Sequence, residues 1–219
     1  MRPRRIILLR HAQSEGNVDD TLFVTKADHQ MELTPEGRDQ ARAAAKSLAT
    51  QLHGESVHCY VSPYARTRQT LDCVREALGE QVVRVYEEPR LREQEWGNFQ
   101  VREHVLAQKA ARDSFGHFFY RFAHGESGAD VFDRVSTFLE TLHRDFSREN
   151  YPPNALLVTH GLTMRLFLMR WFHWSVEYFE SLENPCLCEQ ITLALDPVSQ
   201  SYALTTPLRQ WKPVPLVTR

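Results

Sequence analysis

Ile6-Ile7-Leu8-Leu9, followed without a break by Arg10-His11-Ala12-Gln13-Ser14-Glu15-Gly16-Asn17, is an apolar run that ends on a polar cluster. An unbroken Ile/Leu run, without polar alternation, is the pattern of a buried strand, and it predicts one over residues 4–9. The polar cluster is then the loop into which that strand feeds. The same junction recurs twice. Val57 to Val61 is strand-like and opens at Ser62-Pro63 into a helix carrying Ala65, Leu71, Val74 and Leu78, which Gly79 ends. Ala155 to Val158 is a further buried strand, followed by the loop Thr159-His160-Gly161 and an apolar helix from Leu162 to Phe172.

Between these junctions the pattern stays regular. Thr34 caps and Pro35 starts a helix whose Ala41, Ala44, Ala45, Leu48 and Leu52 recur at helical spacing. Val82, Val83 and Val85 predict another strand, before a carboxylate-rich loop from Leu91 to Asn98. Residues 101–122 read as one helix ending in Phe115, Phe118, Phe119, Tyr120 and Phe122, aromatics assigned to the core, with Tyr120 equally suited to a pocket wall. Ser127 and Asp130 make a capping box for a helix bearing Val131, Val135, Phe138 and Leu142. A last strand covers Gln190 to Leu195, and Pro207, Pro213 and Pro215 mark a tail.

Strands alternating with helices predict an α/β fold: three layers, α/β/α, around a mostly parallel central sheet. The expected domain covers residues 1–206, with 207–219 a proline-containing tail. In such sheets ligands sit at the carboxyl ends of the strands, where the loops at Arg10, Ser62 and Thr159 lie.

Composition narrows the function. With 219 residues and 42% hydrophobic content, the chain can bury roughly 70% of its unfolded surface without a staple. Cys59, Cys73, Cys186 and Cys188 lack C-x-x-C spacing and follow no secretory leader, so they read as buried thiols in a reducing cytoplasm, and Cys186-x-Cys188 lacks the second pair that zinc would need. Four apolar residues before Arg10 are too few for a membrane span. The net charge of −2 and the lack of a long basic block argue against nucleic acid as a partner. Oligomeric state is not readable: the apolar helix around Met164 to Trp171 suits the core or a dimer face.

The converging loops supply Arg10, His11, Asn17, Arg66, Glu93 and His160. Two guanidiniums grip a phosphoryl group and offset its charge, so no metal or other cofactor is required. A neutral imidazole attacks phosphorus when its other nitrogen keeps a proton by donating to a fixed acceptor. A carboxylic acid protonates the leaving alcohol and later activates water.

Leu9 to Asn17 resembles the Arg-His-Gly-Glu-Ser motif of the histidine phosphatase (phosphoglycerate mutase-like) superfamily. Leu33-Thr34-Pro35-Glu36-Gly37, Ser62 to Thr70, Leu91-Arg92-Glu93, Gly125-Glu126-Ser127 and Thr159-His160-Gly161 resemble further blocks in family order. Leu91 to Gln100 and Phe118 to Phe122 look most like the short phosphoglycerate mutase-like proteins of plants and fungi. The resemblance implies a phosphoglycerate mutase-like fold, His11 as the phosphorylated nucleophile, and Arg10, Arg66 and His160 with Asn17 and Gly161 around the phosphoryl group. It implies Glu93 as proton donor, chosen over Glu87, Glu88 and Glu95 by the Leu-x-Glu spacing. The implied activity is a metal-independent phosphatase passing through a phosphohistidine and acting on a phosphorylated small molecule or a phosphoprotein. A mutase-type phosphotransferase and a catalytically weak phosphate-binding protein share the same residues. The missing insertion after Glu93 favours the phosphatase. Ala12 stands where the family usually has glycine, which requires a negative φ there.

Overall fold

The structure, a computed structural model, describes residues 2–97 and 101–215. Its strands are β1 (Arg5–Arg10), β2 (Val57–Val61), β3 (Val82–Glu87), β4 (Asn154–Thr159), β5 (Gln190–Leu195) and β6 (Tyr202–Leu204). Its α-helices are α1 (Glu15–Val18), α2 (Pro35–Leu52), α3 (Ala65–Leu78), α4 (Arg102–Phe115), α5 (Gly128–Phe146), α6 (Gly161–Phe172) and α7 (Val176–Ser181). The strands form one sheet in the order β3-β2-β4-β1-β5-β6, with β1 to β4 parallel and β5 antiparallel to both of its neighbours, β1 and β6. This is the expected α/β architecture with a mostly parallel sheet.

Central strands buried on both faces explain the apolar runs. All six residues of β4 are buried, as are Ile6 to Leu9 of β1. Alternate residues feed two cores. Ile6, Leu8, Ala155 and Leu157 meet Val135, Phe138, Leu166 and Phe167 of α5 and α6. Ile7, Leu9, Leu156 and Val158 meet Leu48, Leu52, Leu71 and Val74 of α2 and α3. Each fully buried leucine contributes about 2 kcal/mol relative to exposure. Helix α6 is buried from Gly161 to Met169, so it is a core helix.

Local signals place the helix starts. Thr34 accepts from the Gly37 amide at 2.9 Å, with Pro35 at the first helical position. The Ser127–Asp130 capping box forms as expected.

Three readings need correction. The helix expected over 101–122 stops at Phe115, because Gly116 takes a φ of 107° and the Phe118 amide donates to Glu180 Oε1 at 2.7 Å. Residues 116–127 are non-helical. Phe118 and Phe122 are core, but Phe115 and Phe119 are 72% and 64% exposed. Of the four thiols, Cys59 and Cys73 are buried, whereas Cys186 is exposed. The expected loop from Leu91 reaches Asn98, which lies outside the described residues, as do 216–219 of the tail. The tail's described part lies against the body: Trp211 N–H donates to the Ser181 carbonyl at 2.8 Å, and Gln210 forms a bridge to Leu182.

Candidate active site

Sheet register brings the three polar loops together. Arg10 lies level with Thr159, and Val61 with Val158. One step beyond, the His11 amide donates to the Thr159 carbonyl at 3.0 Å and the Ser62 amide to the Val158 carbonyl at 3.0 Å. His11, Ser62 and His160 therefore stand side by side at the carboxyl edge of three adjacent parallel strands.

His11 is 2% exposed, and its Nδ1 lies 2.8 Å from the Ala12 carbonyl oxygen. A carbonyl only accepts, so Nδ1 carries the proton and Nε2 keeps its lone pair. Burial, then the guanidiniums of Arg66 and Arg10, holds this ring well below the usual histidine range. Ala12 itself has no positive φ and is fully buried, with its amide on Thr70 Oγ1 at 3.1 Å. The extra methyl is thus accommodated.

His160 is fully buried at the N-cap of α6, its ring centroid 5.2 Å from that of His11. Its Nε2 is 2.8 Å from Ser62 Oγ, while its Nδ1 has no hydrogen-bond partner among the described residues. Burial first, with Arg66 next, lowers its pKa as well. Gly161 begins α6 where a side chain would be crowded: a Cβ there would lie 3.0 Å from Asn184 Oδ1 and 3.4 Å from Arg10 Nε.

Arg10 closes β1. Its Nη1 donates to the Pro185 carbonyl at 2.6 Å, and its Nε is buried without a partner among the described residues. Arg66, on the first turn of α3, is buried and donates from Nη1 to Asp28 Oδ1 at 2.7 Å and to the Asp28 carbonyl at 2.8 Å. Its guanidinium also lies 4.9 Å from the Tyr64 ring centre. The side chain of Glu93 is 20% exposed, with Oε2 3.7 Å from His160 Nδ1 and Oε1 accepting from the Gln94 amide at 2.9 Å. Burial outweighs the pull of Arg66 and raises its carboxyl above the usual range.

The structure thus gathers Arg10, His11, Arg66, Glu93, His160 and Gly161. Asn17 is set differently: it is exposed, and its Oδ1 accepts from Ser14 N–H and Oγ, both at 3.0 Å, in the capping box of α1.

Several residues escaped the sequence reading. Asp28 holds Arg66, Ser62 holds His160, and Glu126 with Arg134 braces the Glu93 loop. Glu126 takes Arg92 Nη2 at 2.5 Å, Arg134 Nε at 3.0 Å and the Glu95 amide at 3.0 Å. Arg134 Nη2 in turn donates to the Glu93 carbonyl at 3.1 Å. The Gly125-Glu126-Ser127 block marked Glu126, yet its partners lie far off in sequence.

One donor atom each from His11, Glu93 and His160 lies within 4.8 Å of the others, close enough for a metal ion. Arg10 and Arg66 make the local potential positive, since both depress the pKa of each histidine. The set therefore favours an anion over a cation.

The model of the histidine phosphatase superfamily (branch 1) matches residues 6–200. The chain belongs to this superfamily. Its relatives include phosphoglycerate mutase-like protein AT74 of Arabidopsis thaliana, 49% identical over 196 residues, 84% of this chain and 62% of that protein. The chain therefore spans about three-fifths of that relative's length. The broad-range acid phosphatase DET1 of Saccharomyces cerevisiae is 30% identical over 303 residues, covering 96% of this chain and 91% of that protein. Among solved structures, mycobacterial glucosyl-3-phosphoglycerate phosphatase in complex with VO3 shares the superfamily fold, with a TM-score of 0.71 at 24% identity over 94% of this chain and 98% of the other. Among the described residues of this superfamily member, no helix is long and apolar enough to cross a membrane.

Proposed function

We propose that this protein is a metal-independent phosphatase that hydrolyses a phosphomonoester through a phosphohistidine at His11. The observation that carries this reading is the His11 ring itself: buried, neutral, with its proton held at Nδ1 by the Ala12 carbonyl and its Nε2 lone pair left for attack.

In the first half-reaction, the His11 Nε2 lone pair forms a bond to phosphorus as the P–O ester bond breaks. The Glu93 carboxyl gives its proton to the departing alkoxide. Arg10, Arg66 and His160, with the Gly161 amide at the start of α6, take the equatorial oxygens and their growing charge. In the second, the Glu93 carboxylate removes a proton from water, which displaces His11 from phosphorus and releases inorganic phosphate. The raised Glu93 carboxyl and its place beside His160 support its use in both directions. Asn17 contributes through its NH2, since its Oδ1 is spent on Ser14.

The test is release of phosphate from p-nitrophenyl phosphate with a chelator present. Turnover unaffected by the chelator and abolished in His11→Ala is expected. Turnover that the chelator removes, or that survives His11→Ala, would overturn the reading.

A further inference from the structure

We propose that the cavity of about 380 Å³ beside Tyr64 receives the leaving alcohol, and that Asp28 and Glu95 on its wall select phosphate esters of positively charged amino alcohols. This rests on His11 as the phosphoryl acceptor.

Two buried atoms without partners among the described residues, Arg10 Nε and His160 Nδ1, mark where the phosphoryl oxygens go. Tyr64 joins that spot to the cavity: its ring meets His160 edge-on at 5.1 Å and Arg66 at 4.9 Å, and it also lines the cavity. An ester held by Arg10, Arg66 and His160 therefore directs its alcohol over Tyr64.

The walls beyond Tyr64 are acidic. Asp28 lines the cavity while its carboxylate holds Arg66. Glu95 is exposed on the wall, and among the described residues it has no ion-pair partner. Lys26, also on the wall, is neutralised by an ion pair with Glu15, and the His29 and Tyr64 rings meet at 66° with centroids 6.3 Å apart. Burial first, then the charges of Asp28 and Glu95, pushes the Tyr64 phenol upward, in keeping with two carboxylates on the wall that this ring shares. An ammonium group there gains the attraction of Asp28 and Glu95. A carboxylate or second phosphate on the alcohol meets like charge.

The test compares kcat/KM for three esters of similar size: O-phosphoethanolamine, propyl phosphate and phosphoglycolate. O-phosphoethanolamine should exceed propyl phosphate by about 5-fold, the order expected of partly exposed charge pairs, and phosphoglycolate should be lowest. Glu95→Gln should cut the first ratio by about 3-fold. Propyl phosphate or phosphoglycolate matching O-phosphoethanolamine, or a ratio unmoved in both Glu95→Gln and Asp28→Asn, would overturn the subsite. No turnover of p-nitrophenyl phosphate would instead remove the phosphatase reading on which it rests.

Discussion

His11 Nδ1 lies 2.8 Å from the carbonyl oxygen of the very next residue, Ala12, so the tautomer of the ring is set by its own chain. That bond needs the Ala12 carbonyl to point back at the ring, and a backbone with negative φ provides it without glycine. Ala12→Gly should therefore keep kcat within about 2-fold while lowering stability by about 0.5–1 kcal/mol through the greater freedom of the unfolded chain. Thermal unfolding with parallel kinetics checks both halves. A rise in activity would show that the methyl obstructs the site.

Glu93 is expected to matter most for poor leaving groups. Its raised carboxyl stays protonated above the usual carboxylate range, and kcat/KM for an alkyl phosphate should fall as pH rises through that shifted value. Glu93→Gln should cost an alkyl phosphate about 100-fold or more in kcat/KM and remove that basic limb. p-Nitrophenyl phosphate, whose alcohol leaves as a stable anion, should lose much less in the same step. Equal losses for both substrates would argue against Glu93 as the acid.

Glu126 and Arg134 act on Glu93 through its backbone. Glu126→Gln leaves the half-buried Arg92 and Arg134 without their shared carboxylate, and should cost about 1–2 kcal/mol of stability, the size of a lost charge-assisted hydrogen bond. If the pair positions Glu93, kcat for an alkyl phosphate should fall more than kcat for p-nitrophenyl phosphate, with KM nearly unchanged. A uniform loss across substrates would mark the pair as structural only.

These braces show where sequence reading reached its limit. His11 and His160 are legible because each is a polar group set at the end of an apolar run that has to be a buried strand, and Arg66 because it follows Ser62-Pro63 in a block that resembles the family's. Asp28 is not: it meets Arg66 from a short 3-10 turn 38 positions away, and nothing in its neighbourhood signals that. Glu126 likewise finds Arg92 across 34 positions. Helix α4 was overextended because the aromatic spacing ran on past Gly116, whose positive φ ends it. The six-residue α7 and three-residue β6 are too short to show a period. The domain and tail boundary near residue 207 stays a proposal.

His58 gives a pH test away from the site. It is 4% exposed, stacked with Tyr60 at 4.8 Å and Tyr151 at 5.2 Å, and burial lowers its pKa to about 4. A depressed histidine favours the fold above its unfolded value of about 6.5, and that contribution is lost as pH falls from there toward 4. His58→Phe keeps a ring in the stack and removes the titration. The drop in stability between pH 7 and pH 4.5 should shrink in the variant by on the order of 2 kcal/mol, measured by denaturant unfolding at each pH. An identical drop in both proteins would contradict a neutral, buried His58.

The central claim is that phosphate passes through His11, and trapping the intermediate tests it most directly. The enzyme is mixed with a phosphate-labelled substrate, quenched in alkali, which preserves phosphohistidine, digested, and its peptides analysed by mass. A label on the peptide containing His11, present in Glu93→Gln and absent in His11→Asn, is the predicted result. Continued turnover with no label on His11, or a label on another residue, would contradict the account.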